Sequence, residues 1–418
     1  MICYYYVPRA FGLSYTVPIL KNNCSLFSKH ITTDDFRGIT ISCVLSKVFE
    51  KCILDRYYSF FKTSDNQFGF KANLGCSHAI YSVNSVINSF VSNRSTVNIC
   101  AMDISKAFDK MSHHGLFLKL MDKTIPVKLL YVLEYWFLVS YTCIRWGHCH
   151  SNYIQLNCGI RQGGILSPYL FAVFIDGVVN IAQRSYYGCH FGLVNLSIFL
   201  YADDILLVAP SVFALQQLVL IVESFLSEID MSLNSKKTVC MRVGPDFTKD
   251  CAPIALMNGD PLKWVDRIRY LGITLLSAKN LRTSLGDNMK AFYKSANAIF
   301  SKVGRSASEE VKCNLISSKC APSLLYGLEA LPLTTANRRS LDFVFNRTHM
   351  KIFRTRSVDV VNTCKFMMNI SSYSDMILNR KVRFLQKYAS PIRMSVFSFK
   401  DTSSMRILQS PVVKLNIL

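Results

Sequence analysis

The sequence is short of acidic residues, of ordered cysteine spacing and of apolar runs free of charge. Only 27 Asp and Glu stand against 48 Lys and Arg in 418 residues, a formal net charge of +21. Half of the residues are hydrophobic, which excludes wholesale disorder and leaves a folded, basic chain of two to three domains. Such a chain favours a polyanionic partner, nucleic acid before an anionic membrane surface. None of the fifteen cysteines forms C-x-x-C or a zinc-finger spacing. That argues against a zinc array, and scattered thiols fit a reducing compartment. Cys143, Cys149 and Cys158 with His148 and His150 come nearest to a metal group, and they read as reduced thiols on a strand or loop. The first twenty residues lack the charged region and small-residue cleavage site of a signal peptide, so the chain reads as intracellular, in nucleus or cytoplasm, and not secreted. Residues 191–209 are long enough to span a bilayer but carry Asp203 and Asp204, each costing about 2.5–3.5 kcal/mol at its centre. No membrane partner is expected. Repeats and low-complexity tracts are absent.

What is present is a succession of short periodic segments. Helical spacing covers 35–60, with Val44, Val48, Ile53 and Leu54 apolar and Lys47, Glu50 and Lys51 between them. It covers 76–92 through Ile80, Val83, Val86, Ile87 and Phe90, then 113–122 and 126–139, where Pro126 suits a first helical turn. Residues 96–105 form a short apolar run with the look of a buried strand. Residues 152–183 run strand, glycine-rich turn and helix. Residues 196–210, "LSIFLYADDILLVAP", read as two apolar strands in a tight hairpin with Asp203 and Asp204 at its tip. A helix over 211–230 starts at Ser211 as N-cap, and 232–244 returns as turn and strand. Beyond about 280 the pattern is helical and basic, and the last twenty residues look loosely organised. The fold class is α+β, a largely antiparallel sheet backed by helices.

The chemistry gathers on three carboxylates. If the strands ending at Asp103 and at the hairpin share a sheet, Asp103 and Asp203 stand side by side. Close oxygen ligands bind hard divalent cations, above all Mg2+ with nucleotide phosphates, and two such ions serve an in-line phosphoryl displacement. Taken alone, Asp203-Asp204 reads equally well as a turn. The neighbours decide: "DISKAFD" (103–109), "GIRQGGILSPYLF" (159–171), "YADD" (201–204), "LNSKKT" (233–238) and "YLG" (270–272) follow in that order.

This ordered set resembles the reverse transcriptase of non-LTR (LINE-type) retrotransposons, over about three quarters of the chain. The resemblance implies a right-hand polymerase: fingers in 1–95, a palm in 96–280 with an inserted segment at about 123–157, and a helical thumb or connection-like basic region in 281–418. It implies an RNA-directed DNA polymerase that adds dNTPs to a DNA primer 3′-OH on an RNA template, with two Mg2+ ions and Mn2+ as a substitute. Asp103, Asp203 and Asp204 match the metal-binding carboxylates, and Lys237 matches a general acid near the leaving pyrophosphate. Ser105, Lys106 and Ala107 would offer backbone amides to the triphosphate, and Phe108 would lie under the sugar. Arg161, Gln162 and Gly163 match the turn facing nucleotide and template. Lys21 and Arg37 match basic finger residues, and Tyr270, Leu271 and Gly272 the primer grip. "QFGFK" (67–71) carries Lys71 where the family has Arg, and Arg37-Gly38-Ile39 replaces the usual Arg-Pro-Ile. No endonuclease or zinc-knuckle pattern appears, so the reading includes a truncated element relying on an endonuclease in trans. The alternative is a catalytically silent, nucleic-acid-binding relic.

Overall fold

A computed structural model describes residues 1–21, 31–191, 194–304 and 306–388. Its centre is a six-stranded sheet ordered Ile254–Ala255, Pro261–Trp264, Val239–Val243, Val97–Asp103, Asp204–Ala209, Ile198–Tyr201. Neighbours are antiparallel except Pro261–Trp264 beside Val239–Val243. The largely antiparallel sheet read from the sequence is therefore present.

Alternate side chains of a strand point to opposite faces. Ile205, Leu207 and Ala209 enter one apolar core, and Leu206 and Val208 enter another. The first core is closed by helices that include Val44–Tyr57, His113–Asp122, Val127–Leu138, Ser167–Ile175 and Val212–Glu228. The second is closed by Cys76–Ser92 and by C-terminal helices that include Gly286–Val303, Thr335–Phe353 and Tyr373–Tyr388. Burial on both faces explains why these strands read as continuous apolar runs. The bilayer-length stretch thus contributes strands, and no helix among the described residues is long and apolar enough to cross a membrane. Ser211 caps as expected, its Oγ accepting from the Ala214 N–H at 3.1 Å.

A second sheet corrects the helical reading of 35–60. Phe36–Ser42 is a strand, and the helix is confined to Val44–Tyr57. The strand pairs antiparallel with Leu13–Leu20, which in turn pairs parallel with Tyr141–Trp146 from the expected insertion. Thr16 Oγ1 lies 3.1 Å from Thr40 Oγ1 and 2.9 Å from Thr142 Oγ1, tying the three strands together. The helix also turns differently from the apolar spacing: Val44 and Val48 are exposed, while Ser46 and Glu50 are buried with Ile53 and Leu54. Pro126 is the N-cap residue and Val127 opens the helix. The last described helix docks on Cys76–Ser92, with the Tyr388 and Tyr81 rings 4.7 Å apart. The final twenty residues lie outside the described residues.

Candidate active site

The carboxylates are placed by the central hairpin. Ala202 takes a left-handed φ of 57°, so Ala202 and Asp203 form the turn and Asp204 already begins the strand. Strand register sets Asp103 opposite Asp204, and not opposite Asp203 as side-by-side strands suggest. Asp203 projects from the turn next to that pair.

The turn is braced by the "QFGF" segment. The Gln67 carboxamide oxygen accepts from the Gly69 N–H at 2.9 Å and from the Ala202 N–H at 3.2 Å. The Phe68 N–H donates to the Leu200 carbonyl at 2.7 Å, and the Leu200 N–H to the Asn66 carbonyl at 2.9 Å. A Cβ on Gly69 would stand 2.6 Å from the Ala202 nitrogen, so glycine permits the contact. The Lys71 ammonium donates to the Ser64 carbonyl.

The three acids feel one another. Burial pushes the Asp204 carboxyl up to about 6, helped by the charges of Asp203 and Asp103. Burial also raises Asp203; its own backbone hydrogen bond opposes this, Asp103 adds to it, and Arg37 and Lys237 counter it. Lys237 Nζ lies 3.3 Å from Asp103 Oδ2. Crowded carboxylate oxygens suit Mg2+, which is commonly held by one or two carboxylates plus substrate phosphates. Yet no group of three or more His, Cys, Asp or Glu that could hold a metal ion occurs among the described residues. Cys143 Sγ meets His150 Nδ1 at 3.7 Å, and among the described residues no third ligand joins them.

Several other expected residues have partners already. The Ser105 N–H donates to the Ser232 carbonyl at 2.8 Å, so that amide is not free for a triphosphate. Lys106 has φ 51°, and its Nζ pairs with Asp34 Oδ1 at 2.7 Å, which holds the Asp34 carboxyl below its ordinary range. Lys21 Nζ reaches the Asp34 carbonyl at 2.6 Å. Ala107 is buried and opens the short helix Ala107–Lys110. The Phe108 ring stacks on Phe171 at 4.5 Å, which fixes its plane.

The glycine-rich loop is anchored from several sides. The Thr40 N–H donates to the Gln162 carbonyl at 2.8 Å, and Gln162 Nε2 donates to Asp109 Oδ1 at 3.1 Å. Gly163 has φ 139°, and a Cβ there would lie 2.3 Å from the Thr40 carbonyl oxygen. Arg161 departs from the template-ligand expectation. Its guanidinium is half-buried and donates to the Phe11 and Gly12 carbonyls and to Ser140 Oγ. Burial pushes it down to about 10, with Glu50 opposing, so it stays charged at neutral pH. His113 is half-buried: its Nε2 contacts the Gly159 carbonyl at 2.7 Å, and burial lowers its pKa.

Sequence reasoning missed Glu50. Its Oε2 accepts from the Ile165 and Leu166 N–H groups at the start of Ser167–Ile175. The available signal was the interval Ser46, Glu50, Ile53, Leu54, which shares one helix face. Tyr270, Leu271 and Gly272 close a hairpin whose two loop residues both have positive φ, 46° and 81°. The Tyr326 hydroxyl, also missed, donates to the Leu271 carbonyl at 3.1 Å.

Residues 19–275 match the family model described as reverse transcriptase (RNA-dependent DNA polymerase). The RNA-directed DNA polymerase from mobile element jockey of Drosophila funebris is 25% identical over 340 residues, covering 78% of this chain and 36% of that one. The retrovirus-related Pol polyprotein from type-1 retrotransposable element R2 of Popillia japonica is 26% identical over 322 residues, covering 75% and 44%. This chain thus spans less than half the length of those relatives. Among solved structures, telomerase from Candida tropicalis with a fragment of telomeric RNA aligns at 10% identity and TM-score 0.46, over 94% of this chain and 64% of that one.

Proposed function

The chain belongs to the reverse transcriptase family, with non-LTR retrotransposon enzymes as relatives, and on that premise we propose that it binds an RNA template paired with a DNA primer and extends the primer with dNTPs. The observation that carries the proposal is the strand register of Asp103 against Asp204 with Asp203 in the adjoining turn. Asp103 and Asp203 would hold Mg2+ or Mn2+, with Asp204 in support. The bound ion would neutralise phosphate charge and orient the reacting oxygens. Phe108, held flat on Phe171, would sit under the sugar and exclude a 2′-hydroxyl. Arg37 and Lys237, whose charges act on Asp203, would meet the triphosphate, and Lys237 would give a proton to the leaving pyrophosphate. Gln162 and Gly163 would face the new base pair, and Tyr270 to Gly272 the primer end.

We assign fingers, palm and thumb to 1–95, 96–280 and 281–418. The pairing of Tyr141–Trp146 with Leu13–Leu20 supports counting the insertion near 123–157 with the fingers. Basic side chains of the C-terminal helices would follow the duplex phosphates, giving salt-sensitive, sequence-independent binding. An intracellular setting and an endonuclease acting in trans complete the reading.

A second reading has the better direct support where metal is concerned. No three-ligand group forms among the described residues, and Lys237 already pairs with Asp103. On that reading the chain binds nucleic acid and is catalytically silent. Primer extension on a homopolymer RNA template, with DNA primer, dNTPs and Mg2+, separates the two. Extension by the wild type and none by Asp203→Asn, with duplex binding retained, supports the polymerase. Duplex binding without extension by the wild type supports the silent relative.

A further inference from the structure

We infer that Arg161 is a positioning residue: it locks the glycine-rich loop 159–166 to the antiparallel strands Leu13–Leu20 and Phe36–Ser42, the N-terminal hairpin, so that the two act as one body and set the affinity for the incoming nucleotide. The functional half of this inference rests on the polymerase reading above. The structural half does not.

The lock has two ends. At one, the Arg161 fork takes the successive carbonyls of Phe11 and Gly12, immediately before the strand Leu13–Leu20, and a third donor contact reaches Ser140 Oγ at 3.0 Å. Trp136 Nε1 donates to the same Phe11 carbonyl at 3.1 Å. A Cβ on Gly12 would stand 2.0 Å from the Val139 carbonyl oxygen, so only glycine lets the chain pass there. At the other end, Thr40 holds Gln162 and abuts Gly163. Thr40 pairs with Thr16 across the hairpin. Both hairpin strands are therefore tied to one loop. Glu50 holds that loop from beneath through the Ile165 and Leu166 amides, and its charge opposes the desolvation of Arg161.

The consequence reaches the nucleotide side. Arg37 lies three residues before Thr40 on the same strand, and its charge acts on Asp203. Loosening the lock frees Arg37 and Gln162 together. A planar guanidinium presents parallel donors that span two neighbouring carbonyls in a fixed fork, a geometry a single ammonium nitrogen does not reproduce. Arg161→Lys keeps the charge beside Glu50 but breaks the fork that spans the Phe11 and Gly12 carbonyls, the first of which keeps its Trp136 donor.

The test is hydrogen exchange on the full chain, wild type against Arg161→Lys, with dNTP titrations of primer extension. Faster exchange in 11–20, 36–42 and 159–166, with 97–103 and 204–209 unchanged, is the expected result. The apparent KM for dNTP should rise about tenfold while kcat stays within about threefold. Unchanged exchange, a parallel rise throughout the chain, or a fall in kcat at constant KM overturns the inference. If the lysine variant does not fold, Ser140→Ala removes one acceptor and should give a smaller change in the same segments; no change there also overturns it. If the wild type does not extend primers, the polymerase reading fails and the exchange data still decide the lock.

Discussion

The central sheet and the C-terminal helices share one apolar core but bury different chemistry. From Ile205 to Ala209 every side chain is apolar and buried. The helices beyond residue 285 enclose Asn288, Lys312, Thr348, His349 and Lys365. His349 is fully buried, its Nδ1 is 2.9 Å from the Phe345 carbonyl oxygen, and its Nε2 has no partner among the described residues. Lys365 Nζ lies 4.7 Å above the Phe345 ring and donates to Asn346 Oδ1. Apolar burial is indifferent to protons, whereas buried imidazole is not. The same core should therefore be insensitive to acid on its sheet side and labile to acid on its helical side.

The largest break in that comparison is Leu206→Ala, on the sheet face that shares the core with the C-terminal helices. Leu206 is fully buried opposite Ala101 and Phe199, and its truncation should cost about 2–5 kcal/mol. Urea unfolding followed by circular dichroism should show the same loss at pH 7 and at pH 5. A loss that changes strongly with pH would place titratable groups where only apolar ones are described.

The second break uses acid. Burial, with the nearby Lys365 charge, pushes His349 down to about 4, against about 6.5 in an unfolded chain. Above pH 6.5 the ring is neutral in both states and adds no pH dependence. As pH falls towards 4 the unfolded chain takes up the proton first, so stability is lost, by up to about 3 kcal/mol. His349→Leu should flatten this slope between pH 6.5 and 4. An unchanged slope would show that the imidazole is not the acid-sensitive group.

The smallest test concerns the helix Cys76–Ser92, on which the last described helix docks beside that same core. Tyr388 packs on Tyr81 and Phe384, and its hydroxyl is 3.2 Å from Ser82 Oγ. Tyr388→Leu should cost about 0.5–1.5 kcal/mol and speed proteolysis within Tyr373–Tyr388 before the sheet is touched. Cleavage at wild-type rates would mean that the helix is held elsewhere.

Elements whose pattern is local were legible. The strand of Asp103, the hairpin of Asp203 and Asp204, the helix capped by Ser211 and the helix over 76–92 stand where periodicity put them. Elements that depend on a distant partner were not. Residues 36–42 are counted with the helical spacing of 35–60, yet their backbone pairs with Leu13–Leu20. Glu50 looks like part of a solvated face, and only the Ile165 and Leu166 amides, more than a hundred residues away, draw it inside. Arg161 in a glycine-rich loop resembles an anion ligand, and its acceptors lie 150 and 149 residues upstream. That Asp204 rather than Asp203 begins the strand, and so stands opposite Asp103, goes with a two-residue turn at the left-handed Ala202, a backbone choice that an apolar count does not register.

By itself the sequence determined the basic charge, the order of the motifs, the doubly buried strands and the acids at their ends. Those properties live in composition and in periods of two or 3.6 residues, which burial enforces locally. Tertiary structure alone decided where Arg161 points, which face of Val44–Tyr57 is hidden and which strands join Leu13–Leu20. Each of those depends on buried polar groups finding partners far along the chain, because leaving them unpaired costs more than bending a local preference.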